Sequence, residues 1–222
     1  MSNPDDMDKL QEGARERAYG QNRRASVLDR FGVWLSAQQI RRYAGSLHGK
    51  SLGDFGCGYH ATFVRSVLSE LREAVVVDFK LSPELRTLNK VRAIEGILPG
   101  ILNQIASASL DLVLCISVLE HLWDPVLALQ ECLRIAKPGG LCLFNVPSWR
   151  GKRALEYSTF RLSMGPKDEM DDHKMYYDVK DFWPLLVRAG FRPSNIKCFS
   201  HKFGMNTFAV CRVPGTTSKT KS

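Results

Sequence analysis

The stretch Asp54–Ala61, DFGCGYHA, has the residue types and spacing of a turn that binds an adenosine cofactor. Gly56 and Gly58, with Cys57 between them, permit positive φ angles and let a ligand approach the backbone closely. A helix is predicted to follow, and the N–H groups of its first turn attract a negatively charged group. The pattern alone fits a nicotinamide dinucleotide as well as other adenosine cofactors.

Asp54, two residues before the first glycine, separates these cofactors by its charge. Beside the pyrophosphate of a dinucleotide, a carboxylate would cost about 1 kcal/mol per charge pair at about 4 Å in water, and several times more in a partly buried site. S-adenosylmethionine instead carries an ammonium and a sulfonium, and its own carboxylate can use the free N–H groups. The charge of Asp54 therefore favours S-adenosylmethionine. The alternative is an aspartate that caps a loop or points to solvent.

Asp78 ends the apolar segment EAVVVD, about 20 residues after the glycines. An acid at this position can accept hydrogen bonds from both hydroxyl groups of a ribose. Phe79, the next residue, could lie against the adenine ring. An ordinary exposed acid at the end of a strand is the alternative interpretation.

Two histidines are candidates for the base that removes a proton from an acceptor hydroxyl, since histidine suits proton transfer near neutral pH. His121 follows the segment LDLVLCIS and should lie near the cleft, whereas His173 ends an irregular segment that we expect to cover the site. The alternatives are a histidine bonded to backbone at a helix end for His121 and an exposed loop residue for His173. No cluster of Asp, Asn and His suggests a metal, and we expect none.

An alternation of strand and helix patterns must position these residues. Continuous apolar segments such as SLGDF, EAVVVD, LDLVLCIS and LCLFNVP are typical of strands that are covered on both faces. Helices are predicted for TFVRSVLSELRE, for SPELRTLNKV and for the segment that Asp124 caps and Pro125 opens. Asp178 is predicted to cap another helix despite Pro184 in its middle. The order predicts an α/β fold with a mostly parallel sheet and helices on both faces. The last segments, SNIKCFS and MNTFAVCRV, predict an antiparallel hairpin that closes the sheet.

The sequence divides into three parts. Residues 1–45 are a polar segment followed by a helix, residues 46–213 are the cofactor-binding domain, and residues 214–222 are a basic tail that we expect to be disordered. Within the domain, the charged and aromatic segment of about 148–177 interrupts the alternation and predicts a lid-like insertion.

Composition narrows the class of protein. The 222 residues suit one α/β domain with small additions, and no apolar run approaches the length of a membrane span. Six cysteines without a C-x-x-C pair favour buried structural thiols in a reducing compartment, so we expect a cytoplasmic protein. The net charge of +8 is compatible with an anionic small molecule, a membrane surface or RNA, and does not choose among them.

Most of the chain, roughly Ser51–Val213, resembles class I S-adenosylmethionine-dependent methyltransferases, and within them the ubiquinone-biosynthesis-like (type 11/12) small-molecule group. The segments that carry the resemblance are LGDFGCG, VVVDF, LDLVLCISVLEHLWDP, ALQECLRIAKPGGLCLFNVPS and DHKMYYDVKDFWPLLVRAGF. The spacing between the third and fourth segments makes the resemblance specific. It implies a Rossmann-like sheet of seven strands, mostly parallel, with the last strand antiparallel.

The resemblance also implies which residues contact S-adenosyl-L-methionine. The methionine part would lie among Asp54, Gly56 and Gly58, the ribose on Asp78, the adenine near Ile97 and Leu98, and further contacts would come from backbone near Ile116 and Ser117. Two positions depart from the family pattern. His60 stands where a third glycine is usual, and Ile97 falls where an acid often accepts the adenine amino group. Glu95, Gln104 or a backbone carbonyl could take over that contact.

These observations predict an enzyme that transfers a methyl group from S-adenosylmethionine to a small molecule, at a hydroxyl oxygen of a sugar, a glycan precursor or a quinone-like phenol. The alternatives are an RNA or protein methyltransferase, a catalytically inactive cofactor-binding protein, and an NAD-linked dehydrogenase. At the end of the segment LDLVLCIS the sequence reads CISV and not an N-P-P-Y-type tetrapeptide, which argues against base or amide nitrogen as the acceptor. We therefore expect a small-molecule acceptor, which the basic charge would allow to be anionic, and no nucleic-acid partner.

Overall fold

A computed structural model describes residues 27–162 and 174–215. Its strands, in chain order, are β1 (Ser51–Phe55), β2 (Glu73–Asp78), β3 (Val91–Glu95), β4 (Leu110–Ile116), β5 (Ala136–Pro147), β6 (Ile196–His201) and β7 (Asn206–Arg212). Its helices are α1 (Val27–Ala44), α2 (Thr62–Val67), α3 (Pro125–Ile135), α4 (Trp149–Leu162) and α5 (Val179–Arg188). Short 3₁₀ helices lie at Pro83–Thr87, Gly100–Gln104, Leu119–His121, Pro193–Asn195 and Lys202–Gly204.

The seven strands form one sheet in the order β3-β2-β1-β4-β5-β7-β6. The first five strands are parallel to one another, and β7 is antiparallel to both β5 and β6. This arrangement confirms the predicted α/β fold with its closing hairpin. From β1 the chain adds β2 and β3 on one side of the sheet, and it then crosses to add β4 and the later strands on the other side of β1. The carboxyl ends of β1 and β4 therefore flank the crevice in which open α/β sheets bind ligands.

Both faces of the sheet are covered, as the continuous apolar segments predict. All five residues of β1 are buried, and so are the four central residues of β2. One core cluster joins the sheet to α3 and α5, and a second joins it to α1 and α2. We call the side covered by α1 and α2 the α1 face. On it, the buried side chains of Ile40 and Ala44 pack against the sheet, and the Tyr43 ring lies 5.6 Å from the ring of Phe199 on β6.

Three predicted elements differ from those observed. The helix predicted for TFVRSVLSELRE ends at Val67, and SPELRTLNKV forms only the 3₁₀ helix Pro83–Thr87. The reason for the second difference is that β3 begins at Val91, which leaves little chain for a longer crossover. The helix α3 ends at Ile135, earlier than the KPGG turn, because Ala136 already pairs with Leu110 of β4.

Other predicted helix boundaries are confirmed. The carboxylate of Asp124 accepts a hydrogen bond from the N–H of Leu127 at 3.0 Å, and Pro125 opens α3. Asp178 and Asp181 form a reciprocal capping box at the start of α5, which continues through Pro184. The polar start of the chain, His173 and most of the basic tail lie outside the described residues. Among the described helices, none is both long and apolar enough to cross a membrane.

Candidate cofactor site

The glycine turn after β1 requires glycine at its first position. Gly56 and Gly58 have φ angles of +79° and +73°, in the left-handed region that other residues rarely adopt. The N–H of Gly56 donates to the carbonyl of Val77 at 2.7 Å, which holds the turn against β2. A Cβ atom at Gly56 would lie 2.1 Å from Cγ2 of Val118, so the chain after β4 packs directly on this glycine. The turn is thereby fixed between the ends of β2 and β4.

Asp54 is buried at the end of β1, with only 6% of its surface exposed, which excludes the solvent-facing alternative. Burial raises its pKa from 3.8 to about 7, and the nearby charge of Asp78 adds to the increase. A carboxyl group held in such an unfavourable environment marks a candidate functional site. A cationic ligand beside it would restore the ionised form.

Asp78 connects the end of β2 to the glycine turn. Its Oδ2 accepts a hydrogen bond from the N–H of Gly58 at 2.7 Å, and its Oδ1 accepts one from the N–H of Phe79 at 2.8 Å. These two bonds fix the orientation of the carboxylate. Each carboxylate oxygen can accept more than one hydrogen bond, so the group retains capacity for ribose hydroxyls. Phe79 follows directly and is half-buried.

The residues predicted for the adenine lie just beyond β3. Ile97 is 37% exposed, whereas the side chain of Leu98 is buried. Glu95, one of the alternatives for the adenine amino group, already has partners. Its Oε1 accepts from the N–H of Leu81 at 2.9 Å, and its Oε2 pairs with Arg86 at 2.6 Å. Glu95 is therefore used to hold the loops after β2 and β3 together.

The loop after β4 forms the other wall of the crevice. Ser117, which follows Ile116, has a φ angle of +57° and is exposed, and its N–H donates to the carbonyl of Asn145 at 2.7 Å. His121 ends the 3₁₀ helix that follows, with its N–H bonded to the carbonyl of Val118 at 3.0 Å, and its side chain is half-buried. His121 thus follows the carboxyl end of β4, and its role as a base stays a prediction.

The sequence motifs did not single out Glu120, which is also buried beside the crevice at 2% exposure. Its carbonyl accepts hydrogen bonds from the N–H groups of Lys174, at 2.7 Å, and Met175, at 3.3 Å. These bonds attach the segment before α5 to the loop after β4. Burial raises the pKa of Tyr177 in that segment to about 12, and the charge of Glu120 adds to the increase. The only feature of the sequence that could have pointed to Glu120 is its position next to His121.

Two further groups lie near this edge of the sheet. His201, at the end of β6, is buried. Its burial lowers the pKa to about 4, and the nearby charge of Lys202 is the second, smaller cause. Asn145, near the end of β5, is completely buried. By contrast, His60 is exposed, and its ring stands edge-on to the ring of Tyr59 at 4.9 Å. Within the described parts of the chain, no three His, Cys, Asp or Glu side chains gather into a metal-binding group.

The opposite edge of the sheet carries a recess of about 300 Å³, lined by Lys50, Asp111 and Arg212 among others. Asp111 receives hydrogen bonds there from Ser51, at 2.6 Å and 2.8 Å, and from Lys137, at 2.9 Å. Burial alone would raise the pKa of Asp111, but these bonds outweigh it and lower the pKa to about 2. The recess lies at the amino ends of the strands, away from the glycine turn, so it is not part of the cofactor site.

Comparison with known proteins places this site in a family. A family model described as "Methyltransferase domain" matches residues 53–144, which contain the glycine turn and the sheet from Gly53 of β1 to Phe144 of β5. A Mycobacterium tuberculosis protein named "Probable S-adenosylmethionine-dependent methyltransferase" is 25% identical over 172 residues, covering 74% of this chain and 57% of that protein. The ubiquinone biosynthesis O-methyltransferase of Cronobacter sakazakii is 31% identical over 151 residues, covering 61% of this chain and 59% of that enzyme.

Solved structures show the same fold. A SAM-dependent methyltransferase from Archaeoglobus fulgidus superposes with a TM-score of 0.56 at 16% identity, covering 81% of this chain and 93% of that one. The aligned part of this chain spans under two thirds of the two relatives named above. The family match confirms the resemblance drawn from the motifs, and S-adenosyl-L-methionine is the cofactor that it indicates. Residues 53–144, within the seven-stranded sheet, therefore match a methyltransferase domain, and the named relatives indicate that it is of the S-adenosylmethionine-dependent kind.

Proposed function

We propose that this chain transfers the methyl group of S-adenosylmethionine to a hydroxyl oxygen of a small molecule at the carboxyl ends of β1, β2 and β4. The observation that carries the proposal is the buried carboxyl group of Asp54 beside the glycine turn, where a cationic ligand is favoured and a pyrophosphate is not. The similarity to ubiquinone biosynthesis O-methyltransferases supports oxygen as the methylated atom.

Each part of the site has a distinct task in this proposal. Asp54 attracts the ammonium group of the cofactor, and the backbone of Gly56, Cys57 and Gly58 lies along its methionine part. Asp78 accepts hydrogen bonds from the ribose hydroxyls, since its orientation is already fixed by two backbone N–H groups. When bound, the cofactor supplies an electrophilic methyl group, and the protein supplies alignment of the acceptor with that group.

The adenine would lie between Phe79 and the residues after β3, Ile97 and Leu98. Because Glu95 already holds Leu81 and Arg86, we assign recognition of the adenine amino group to Gln104 or a backbone carbonyl. Apolar contact then provides most of the adenine affinity.

A hydroxyl acceptor also requires a base. As the acceptor oxygen bonds to the methyl carbon, its proton must pass to a protein group, and histidine is suited to this near neutral pH. His121 lies at the crevice edge and is the first candidate among the described residues. His173 remains a second candidate from the sequence.

An RNA or protein acceptor is the alternative that one observation favours, namely the net charge of +8. Attraction to RNA phosphates weakens steeply with salt, whereas binding of a small neutral acceptor does not. Binding of an RNA oligonucleotide at 50 mM and at 200 mM salt therefore distinguishes the two acceptors.

The location is proposed to be the cytoplasm, and the support is that all six cysteines are free thiols.

Calorimetry with S-adenosylmethionine, followed by a transfer assay with a labelled methyl group and a panel of phenols and sugars, tests the proposed function. We expect binding of S-adenosylmethionine, no tight binding of NADH, and label transfer to at least one hydroxyl compound. Binding without transfer to any acceptor would support a cofactor-binding protein without catalysis. Tight binding of NADH alone would refute the proposal.

A further inference from the structure

Three exposed aromatic side chains lie beside β6 and β7, at the carboxyl edge of the sheet. Phe31 and Trp34 belong to α1, where their rings stack with centroids 5.8 Å apart, and Trp34 is 53% exposed. Phe203, in the loop between β6 and β7, is 79% exposed, more than any other large hydrophobic side chain of the described residues. Large apolar side chains that gather on a surface indicate an interaction site.

The two groups of rings adjoin because α1 packs on the loop after β6. A Cβ atom on Gly32 would lie 3.8 Å from Nζ of Lys202. Gly32 follows Phe31 directly, and Lys202 directly precedes Phe203. The spacing of three residues places Phe31 and Trp34 on one side of α1. We call Phe31, Trp34 and Phe203 together the aromatic surface.

The loop that presents Phe203 has an unusual backbone. Lys202 and Phe203 have φ angles of +48° and +58°, both in the left-handed region. A bulky residue rarely adopts this region, whereas glycine or asparagine occupies it with less strain. Neither this strain nor the exposure of an aromatic ring favours folding. Contact with a partner is therefore the better explanation for phenylalanine at this position.

The segments around the aromatic surface are basic. The start of α4 adjoins the same loop, since a Cβ atom on Gly204 would lie 3.1 Å from the guanidinium of Arg150. Residues 30–44, 148–154 and 201–205 contain seven Lys and Arg residues and no Asp or Glu. Arg41 pairs with Glu70, and Lys152 pairs with Glu156. The other five form no ion pair with a described residue, and they are Arg30, Arg42, Arg150, Arg153 and Lys202.

Two acids lie close to these segments, and neither neutralises the surface. The carboxylate of Asp178 accepts a hydrogen bond from the N–H of Trp149 at 3.2 Å and also caps α5. Burial lowers the pKa of Lys202, and the charge of Glu120 opposes this, but Glu120 is itself buried inside the protein. A partner at the aromatic surface therefore meets exposed cations without exposed carboxylates between them.

Exposed rings among unpaired cations suit the surface of an anionic lipid bilayer. Trp and Phe enter the boundary between headgroups and acyl chains, whereas Lys and Arg remain at the lipid phosphates. RNA also binds rings and cations, but its bases stack on free ring faces along a groove. Phe31 and Trp34 stack on each other instead, and Phe203 lies at the end of a hairpin. The arrangement therefore favours lipid over RNA.

We propose that the aromatic surface inserts into the headgroup region of an anionic lipid bilayer, and that the unpaired cations around it bind the lipid phosphates. The chain then binds at the surface of the bilayer, because no described helix is both long and apolar enough to cross it. The glycine turn lies at the same carboxyl edge of the sheet, so the bound protein holds its crevice towards the lipid. The inference does not depend on methyl transfer.

Co-sedimentation of the full chain with lipid vesicles tests this surface. The vesicles contain phosphatidylcholine alone, or phosphatidylcholine with one third phosphatidylglycerol. The variants are Phe203→Gly, Trp34→Gln and Arg153→Gln. The matched controls are Trp183→Gln, on α5 at the other face of the sheet, and Arg192→Gln, before β6 at the amino edge.

The wild-type protein should bind the anionic vesicles and bind phosphatidylcholine alone much more weakly, because insertion and charge attraction act together. Phe203→Gly and Trp34→Gln should bind about tenfold more weakly, the scale for one aromatic side chain that loses its apolar burial. Arg153→Gln should bind about fivefold more weakly, the scale for one cation at an anionic membrane. Both controls should bind like the wild type.

Two further readouts separate this loss from a loss of folding. Phe203→Gly should leave Tm unchanged or raise it, because glycine adopts a positive φ without strain. Tryptophan emission should shift to shorter wavelength when the wild-type protein meets anionic vesicles. The shift should be smaller in Trp34→Gln and should persist in Trp183→Gln.

Failure of the wild-type protein to bind anionic vesicles would overturn the inference. Equal binding by the wild type, Phe203→Gly and Trp34→Gln would also overturn it, and so would an equal loss in Trp183→Gln. An RNA oligonucleotide is the remaining comparator. RNA binding that Phe203→Gly abolishes, together with no binding to vesicles, would assign the aromatic surface to nucleic acid and contradict the proposal.

Discussion

Replacing Asp54 by Asn tests the electrostatic basis of cofactor binding, because the amide keeps the shape of the side chain and removes its charge. Burial at the end of β1, with the charge of Asp78 as the second cause, raises the pKa of Asp54 to about 7. The group is therefore about half ionised at pH 7 in the ligand-free protein. The ammonium of S-adenosylmethionine requires the ionised form, so binding must shift the equilibrium towards it.

The magnitude follows from this linkage. If only the ionised form of Asp54 binds the ammonium, the apparent dissociation constant is increased by the factor 1 + 10^(pKa − pH). With a pKa of about 7, S-adenosylmethionine should bind about 16-fold more weakly at pH 5.5 than at pH 7, which is about 1.6 kcal/mol. The ammonium of the ligand remains mostly protonated over this range, so the change reports the protein group.

Isothermal titration calorimetry at half-unit steps between pH 5.5 and pH 7 measures this slope. The control ligand is 5′-methylthioadenosine, which lacks the amino-acid part and should bind with the same affinity at each pH. Asp54→Asn should bind S-adenosylmethionine weakly and without the slope. Asp111→Asn, at the opposite edge of the sheet, should retain both affinity and slope. Equal affinity of the wild-type protein for S-adenosylmethionine at pH 5.5 and pH 7 would refute the reasoning.

Three further predictions concern the same turn. Folding raises the pKa of Asp54 from 3.8 to about 7, so its contribution to stability is complete below pH 4 and is lost as the pH rises through 7. Asp54→Asn should therefore stabilise the ligand-free protein at pH 8 by up to about 4 kcal/mol. An unchanged or lower Tm of this variant at pH 8 would contradict the prediction. Asp78→Ala should weaken binding of S-adenosylhomocysteine by about 1–3 kcal/mol in calorimetry, the scale for unpaired hydroxyl groups, and an unchanged affinity would exclude the ribose contact. Gly56→Ala should cost about 2–4 kcal/mol of unfolding free energy in urea titrations, since both the positive φ and the contact with Val118 oppose it. Gly49→Ala has a similar φ, +72°, but no atom within 4 Å of the added Cβ, so an equal loss in both variants would show that Val118 is not responsible.

The sequence predicts the buried strands and the closing hairpin because these segments are continuous apolar runs bounded by clear turn residues. It does not predict β3, since VRAIE is short and its residues, apart from Ile94, are at least partly exposed. The helix expected at SPELRTLNKV is absent for a related reason: β3 follows so closely that only a 3₁₀ helix fits. Local propensity is overridden here by the register of neighbouring strands.

The same contrast applies to the site. Asp54, Gly56 and Asp78 are predicted from their spacing and charge, because they belong to one strand–turn–strand unit in which neighbours in sequence are neighbours in space. Asn145 and His201 reach the same edge of the sheet only when β5, β7 and β6 pair, which no local pattern indicates. The sequence also did not predict the hydrogen-bond partners of Glu95, since these depend on the fold of the loop after β2.

A crystal structure of the full chain with S-adenosylhomocysteine is the most direct test of the central claim, that the crevice between β1, β2 and β4 holds this cofactor. The account predicts ribose hydroxyls within about 2.7–3.2 Å of the Asp78 carboxylate and the ammonium group beside Asp54 and the glycine turn. Density for the ligand at the amino edge beside Asp111, or an empty crevice at saturating ligand, would contradict it.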